Sequence, residues 1–552
     1  MNIPRRLSPL PLALVLALGN AAGARAQDAP AAVPLYDNLG SHAYAISTRV
    51  PQAQRYFDQG LRLYYAFNHA EAVRSFEEAA RLDPRCAICH WGTALAYGPN
   101  INAKMDSASG VQAYAAVRRA QERAQHASPK ERALIRALAT RYAAAPPADR
   151  AALDSAYARA MGEVARQYPD DPEAAVLHAE ALMDLSPWSY WSREGEPRPD
   201  TPRLLAQLER VVAAAPEHPG ACHFYIHAVE AVQPERAVPC AERLAALMPG
   251  AGHLVHMPGH IYVRVGRYLD AIRANEHAVH ADESYIRDQR PGAGMYTLGY
   301  YPHNYDFLSF AAMMAGREKQ SLEAARKLAS LIPREMMQAP GMTFTQNHAM
   351  RPLQMLVRFG GWDEILREPA PPEELVHSRG IWHYARGTAL AARGDAAAAE
   401  AELARVRAAA ENPAIADMTL EFNRSADVLR IAANVLAGRV AAAKGDHAEA
   451  AARLREAARL EDELVYGEPP EWSVPVRQEL GAVLLAAGRP AEAERAFRED
   501  LERFPENGWS LHGLAQSLRA QRKGAEAAAV DERLRKAWAT ADVRLPAASA
   551  VR

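Results

Sequence analysis

The residues best suited to chemistry in this 552-residue chain are its histidines. There are nineteen; eight fall from His218 through His280, and His303 follows soon after. His223, His227 and Glu230 stand at i, i+4 and i+7, and His253, His256 and His260 at i, i+3 and i+7. On a helix each set projects from one face. Imidazoles at i, i+4 with a carboxylate nearby suit a late first-row transition metal: zinc, copper or iron. The ligands expected for such an ion are His223, His227, His256 and His260. Glu230 would then be either a further ligand or a general base beside metal-bound water. Two other readings stand beside the metal. The histidines could line a metal-free pocket for a polar ligand, or serve only to hydrogen-bond neighbouring groups.

The elements that carry these residues are read as helices. Alanine is abundant and β-branched runs are scarce, which favours an all-α fold. Charged residues make up 24% and hydrophobic residues 49%, as in folded soluble chains, and 552 residues are too many for one core. A formal net charge of −2 argues against nucleic acid or an anionic membrane as partner.

The N-terminus reads as a signal peptide over residues 1–26. Arg5 and Arg6 give a positive start, Leu10 to Leu18 a short apolar run, and Ala24-Arg25-Ala26 a cleavage site before Gln27. The mature chain is therefore expected in the periplasm or outside the cell, with no membrane span. Export puts the four cysteines in an oxidising compartment. Cys222 and Cys240 are expected on the two helices of one hairpin, where a disulfide is plausible; the alternative is two buried thiols. Cys86-Ala-Ile-Cys89-His90 matches a haem-attachment string, but it straddles Pro84 and the start of a helix. Inert helix residues are the default there, ahead of covalent haem and of a solvent-accessible dithiol or local disulfide.

Internal repeats decide the fold class. Phe57, Gly60, Tyr64, Ala70, Phe76 and Leu82-Asp83-Pro84 spell a helix, a turn, a second helix and a closing proline in about 34 residues. The pattern returns around Gly259 and Gly266, Gly387 and Gly394, Gly438 and Gly445, and most clearly at Gly481, Gly488, Phe497 and Pro505. A further unit opens at Trp509 and Gly513. This resembles the tetratricopeptide repeat (TPR) superfamily over most of residues 52–540. The resemblance implies a TPR-type α-solenoid, a right-handed superhelix whose first helices line a concave groove. We divide the chain into a leader at 27–51, N-terminal repeats at 52–200, central His-rich repeats at 201–368 and C-terminal repeats at 373–545. A loose leader, a Pro-rich Trp188 loop, a Gly/Tyr-rich insertion at 290–301 and a stiff loop at 466–472 interrupt the periodicity.

Aligned on the TPR pattern, His223, His227, Glu230, His253, His256, His260, His303 and Asp306 fall on the groove side, as do Glu180 and Asp184 one unit earlier. The block also resembles a family of exported bacterial TPR proteins. They share Ile226 to Glu230, His256 to Arg264, Tyr301 to Asn304 and Glu468 to Trp472 as motifs. That resemblance marks where a site lies and implies no particular activity. The function expected first is an interaction scaffold holding a peptide, protein or small ligand in its groove. The alternative is a metal-binding protein or metal-dependent enzyme. The chain has no Gly-rich phosphate loop and no G-x-S-x-G elbow.

Overall fold

The repeat period becomes pairs of antiparallel helices. In the computed structural model, which describes residues 33–339 and 341–543, Pro51–Tyr65 packs against His69–Leu82, and Val476–Ala486 against Pro490–Arg503. Each pair is followed by another, so the chain is an all-α solenoid of the TPR type. Among the described residues 69% are helical and none forms a strand. The signal peptide expected at 1–26 lies outside the described residues.

Local chemistry sets the pairs. The second helix of a pair is capped by a side chain in the turn: Asn68 Oδ1 accepts from Glu71 N and Asp446 Oδ1 from Glu449 N, at 3.4 and 3.0 Å. Successive first helices cross where a side chain is missing. A β-carbon added at Gly60 or Gly92 would meet the Phe76 ring at 2.7 or 2.4 Å. Phe497 is flanked in the same way by Gly481 and Gly513. One aromatic ring thus fills the space that two glycines leave, and each unit buries its neighbour.

The solenoid folds back on itself. Trp509 Nε1 donates to Met313 O at 2.9 Å, and Asp542 N and Val543 N donate to Gly316 O at 3.1 Å. Arg264 Nη1 donates to Arg503 O at 3.3 Å. Residues from Leu35 onward therefore form one unit, and the repeat blocks at 52–200, 201–368 and 373–545 are not separate bodies. The leader reading of 27–51 is corrected for its described part after Pro34. Gly250 N donates to Asn38 O at 2.8 Å, Tyr44 N to Asp58 Oδ1 at 3.0 Å, and Leu39 is buried. Backbone groups that a free segment would leave to water are satisfied by the repeats. The insertion before His303 ends in a π-helical turn, Tyr296–Tyr300, that runs into the Tyr301–Met314 helix.

No helix among the described residues is long and apolar enough to cross a membrane.

Candidate metal centre

The Pro219–Val229 helix starts with Pro219 and is capped by His218 Nδ1, which accepts from Ala221 N at 3.2 Å. Gly220 in its first turn lets the Tyr65 ring approach: a β-carbon there would meet Tyr65 Cδ1 at 2.4 Å. The close approach brings the Tyr65 carbonyl within 2.7 Å of His223 Nδ1. A carbonyl only accepts, so His223 carries its proton on Nδ1 and turns Nε2 inward. His227, one turn on, has Nδ1 3.2 Å from Glu230 Oε1, and its buried Nε2 has no partner. His253 Nε2 lies 3.2 Å from His223 Nε2. His223, His227 and His253 thus bring one ring nitrogen each to a common point, all within 4.8 Å of one another.

A second trio stands next to the first. His256 Nδ1 is 2.8 Å from Asn275 Oδ1, and Asn275 Nδ2 donates to Ala271 O at 2.8 Å, which orients the amide. His256 therefore donates from Nδ1, and its Nε2 faces His260 Nε2 at 2.9 Å. His260 Nδ1 lies 2.8 Å from Glu230 Oε2 and 3.4 Å from Glu468 Oε2. His303, half-buried, completes the group. The rings of His227 and His260 are 5.5 Å apart between centroids, and those of His253 and His256 5.9 Å. Glu230 stands between the trios with one oxygen toward each.

The sites are enclosed. His223 and His256 are 0% exposed, and His227, His253 and His260 between 2 and 3%. The Phe67 ring stacks on His253 at 5.3 Å and lies 4.5 Å from His223. Phe67 holds φ at 56°, a left-handed conformation a glycine such as Gly445 adopts without strain in the equivalent turn. Trp188 covers His227 at 5.0 Å, Tyr300 covers His253 at 4.6 Å, and Phe307 covers His256 and His260 at 4.6 and 4.5 Å. The expected groove face is thus the interior of a closed solenoid, roofed by loops from distant repeats.

Burial sets the electrostatics. It holds His223, His253 and His256 well below the usual imidazole range, with neighbouring histidines adding to it, and keeps His227 low. His303 is pushed down to about 4 by burial. At His260 burial acts in the same sense, but Glu230 and then Glu468 outweigh it and raise the ring to about 9. Burial pushes the Glu230 carboxyl up, and His260 and His227 more than offset this to hold it low. The centre therefore presents five neutral imidazoles, an extra proton on His260 and two buried carboxyl groups, Glu230 and Glu468.

Three carboxylates expected on this face are engaged elsewhere. Glu180 accepts from Tyr64 OH beside Asp184, which pairs with Arg141. Asp306 accepts from Arg351 Nε and Nη2 at 2.5 and 2.7 Å. The ligand-groove reading of Glu180, Asp184 and Asp306 is corrected accordingly: buried cations and a phenol claim them. Sequence reasoning missed the Tyr65 carbonyl, Phe67, Asn275 and Glu468 as parts of the site. Only Glu468 had a signal, the Glu468-Pro-Pro-Glu-Trp472 motif. A further histidine pair, His42 and His218, lies 2.8 and 3.2 Å from Glu173 Oε1. There His218 Nδ1 keeps its lone pair for Ala221 N, so Nε2 carries the proton and lies on the Glu173 side. The sulfurs of Cys222 and Cys240 face each other with Cα atoms 5.1 Å apart, and Cys86 and Cys89 at 5.4 Å, both within disulfide reach.

No family model and no curated protein matches this chain. Solved structures similar to it include the human IFIT1 dimer with m7Gppp-AAAA, at 12% identity over 89% of this chain and 91% of that one, with a TM-score of 0.31. A monomeric IFIT1 mutant with Gppp-AAAA matches at 11% identity over 88% and 90%, TM-score 0.30. Naa15/Naa10 bound to HypK-THB matches at 12% over 89% and 71%, TM-score 0.21. Scores this low carry no argument, and the fold rests on the helix pairs described above.

Proposed function

We propose that this protein is an exported, TPR-type metal-binding protein whose central histidines hold a late first-row transition metal. The observation that carries this reading is the convergence of imidazole nitrogens whose opposite nitrogens are already turned to acceptors. His223, His227, His256 and His260 each direct Nδ1 at a carbonyl, carboxylate or amide oxygen. That is the outer-shell arrangement that orients metal-ligating histidines. An open scaffold groove for a peptide fits less well, because the rings are enclosed on every side by Phe67, Trp188, Tyr300 and Phe307. Glu230 has Oε1 hydrogen-bonded to His227 and Oε2 2.8 Å from His260 Nδ1, a placement that favours an outer-shell carboxylate over a general base. A small ligand has a place beside the centre, in the pocket lined by Val263, Arg264, Tyr466, Glu468 and Phe504.

The test uses the chain from the exported fraction, its mass showing whether it starts at Gln27. Elemental analysis should find zinc, copper or iron, and His227→Ala should lower that content. Metal added at a hundred times its dissociation constant should stabilise the parent by about 2.7 kcal/mol, read as a raised unfolding temperature, and His227→Ala by much less. A parent chain that holds no metal and whose unfolding temperature ignores all three would end this reading.

A further inference from the structure

Resting on that reading, we propose that the centre is binuclear: each imidazole trio holds its own copper(I) ion, and Glu230 is the outer-shell carboxylate common to both. One ion cannot serve all six rings. His253 and His260 share a helical stretch but lie seven residues apart, a rise of about 10.5 Å. The i, i+4 pairs His223/His227 and His256/His260 each close on a single point, joined by His253 and His303 respectively.

The positions of the protons turn lone pairs toward both points. His223 Nδ1 faces only the Tyr65 carbonyl, and His256 Nδ1 faces an amide oxygen fixed by its own hydrogen bond. Their Nε2 atoms are left as lone pairs, yet each stands 3.2 or 2.9 Å from another imidazole Nε2. Two facing nitrogens at that distance hold either a hydrogen, donated from the Nε2–H of His253 or His260, or a metal. Nitrogens about 2.0–2.1 Å from one ion at tetrahedral angles stand about 3.3 Å apart, close to what is seen. His227 Nε2, buried and without a partner, points the same way. A metal at the first trio requires His253 to move its proton from Nε2 to Nδ1.

Charge selects the metal. With the extra proton of His260 released when the ion binds, six neutral imidazoles contribute none. The carboxylates at the centre are Glu230, which bridges the trios, and Glu468, which approaches from the C-terminal repeats. Two monovalent ions are balanced by two carboxylates. Two divalent ions would leave about two uncompensated charges among aromatic rings, which burial penalises heavily. Arg264 Nε, 3.7 Å from Glu468 Oε1, adds positive charge and weighs further against divalent occupancy. Copper(I) is the late first-row ion that carries a single charge and accepts three imidazoles.

The experiment is an anaerobic titration of ion-free mature chain with copper(I) against a chromophoric bicinchoninate competitor, with parallel zinc additions. The expected result is two copper(I) ions per chain. His223→Ala and His303→Ala should each retain one, and the double variant none, while far-ultraviolet circular dichroism shows all three folded. Glu230→Gln should weaken both ions by about 10- to 100-fold, where a carboxylate serving one trio would weaken one. A single copper(I) per parent chain would overturn the pairing and leave metal binding intact. Zinc uptake without copper(I) uptake would overturn the choice of metal. Uptake of neither would remove this inference and leave the proposed function to the iron arm of its own test.

Discussion

At the scale of single residues, burial penalises the charged ring and holds His223, His227, His253 and His256 low, whereas Glu230 and Glu468 outweigh it at His260. His377, remote from the two trios, isolates that effect. It is 0% exposed, with Nδ1 2.8 Å from Ser425 Oγ, and burial pushes it down to about 3. The folded chain thus binds fewer protons here than the unfolded chain. The stability is full above the unfolded value near 6.5 and is lost as pH falls toward 3, at about 1.4 kcal/mol per pH unit. In ion-free protein the unfolding temperature of His377→Gln should therefore fall less between pH 7 and 5 than that of the parent. Parallel curves for the two chains would mean that His377 charges in place.

At the scale of elements, stability comes from the crossings between neighbouring pairs. Gly92 looks like a helix-weakening residue, and replacing it by alanine in an exposed helix would stabilise by about 1 kcal/mol. Here the added methyl meets Phe76 Cδ1 at 2.4 Å inside a packed crossing. Gly92→Ala should instead destabilise by about 1–3 kcal/mol. Phe76→Leu in the same chain should relieve part of it, so the double variant loses less than the two single losses combined. Calorimetry on the four proteins decides: a raised unfolding temperature for Gly92→Ala would show that the crossing has room.

At the scale of the whole molecule, the site exists because the solenoid closes. Tyr65 and Phe67 come from the first repeat, the histidines from the central repeats and Glu468 from the loop between Asp462 and Val476. Ligand binding stabilises every segment that must be in place for binding. Metal addition should therefore slow amide hydrogen exchange at 64–68, 222–232, 252–262 and 464–472 together. Protection confined to 222–262 would mean that the first and last repeats do not help to hold the ion.

The sequence by itself determined the repeat period, the all-α class and which helix faces carry the histidines. These are local properties: a 34-residue pattern of small and aromatic slots, and side chains at i, i+3 or i+4. It also placed His223 with His227, and His256 with His260, because one helical turn is short enough for two rings to meet. The tertiary structure decided how the rings group and what surrounds them. His253 sits on the same helical face as His260, but seven residues of helical rise separate them and its Nε2 meets His223 of the preceding unit instead. Glu180 and Asp306 share that face, yet Tyr64, Arg351 and other distant partners claim them. Glu468 reaches His260 across more than two hundred residues, and Phe67 and Trp188 cover rings with which they share no local pattern. Whether a superhelix leaves its inner face open or closes over it depends on small rotations summed over many repeats. No window of sequence contains that sum.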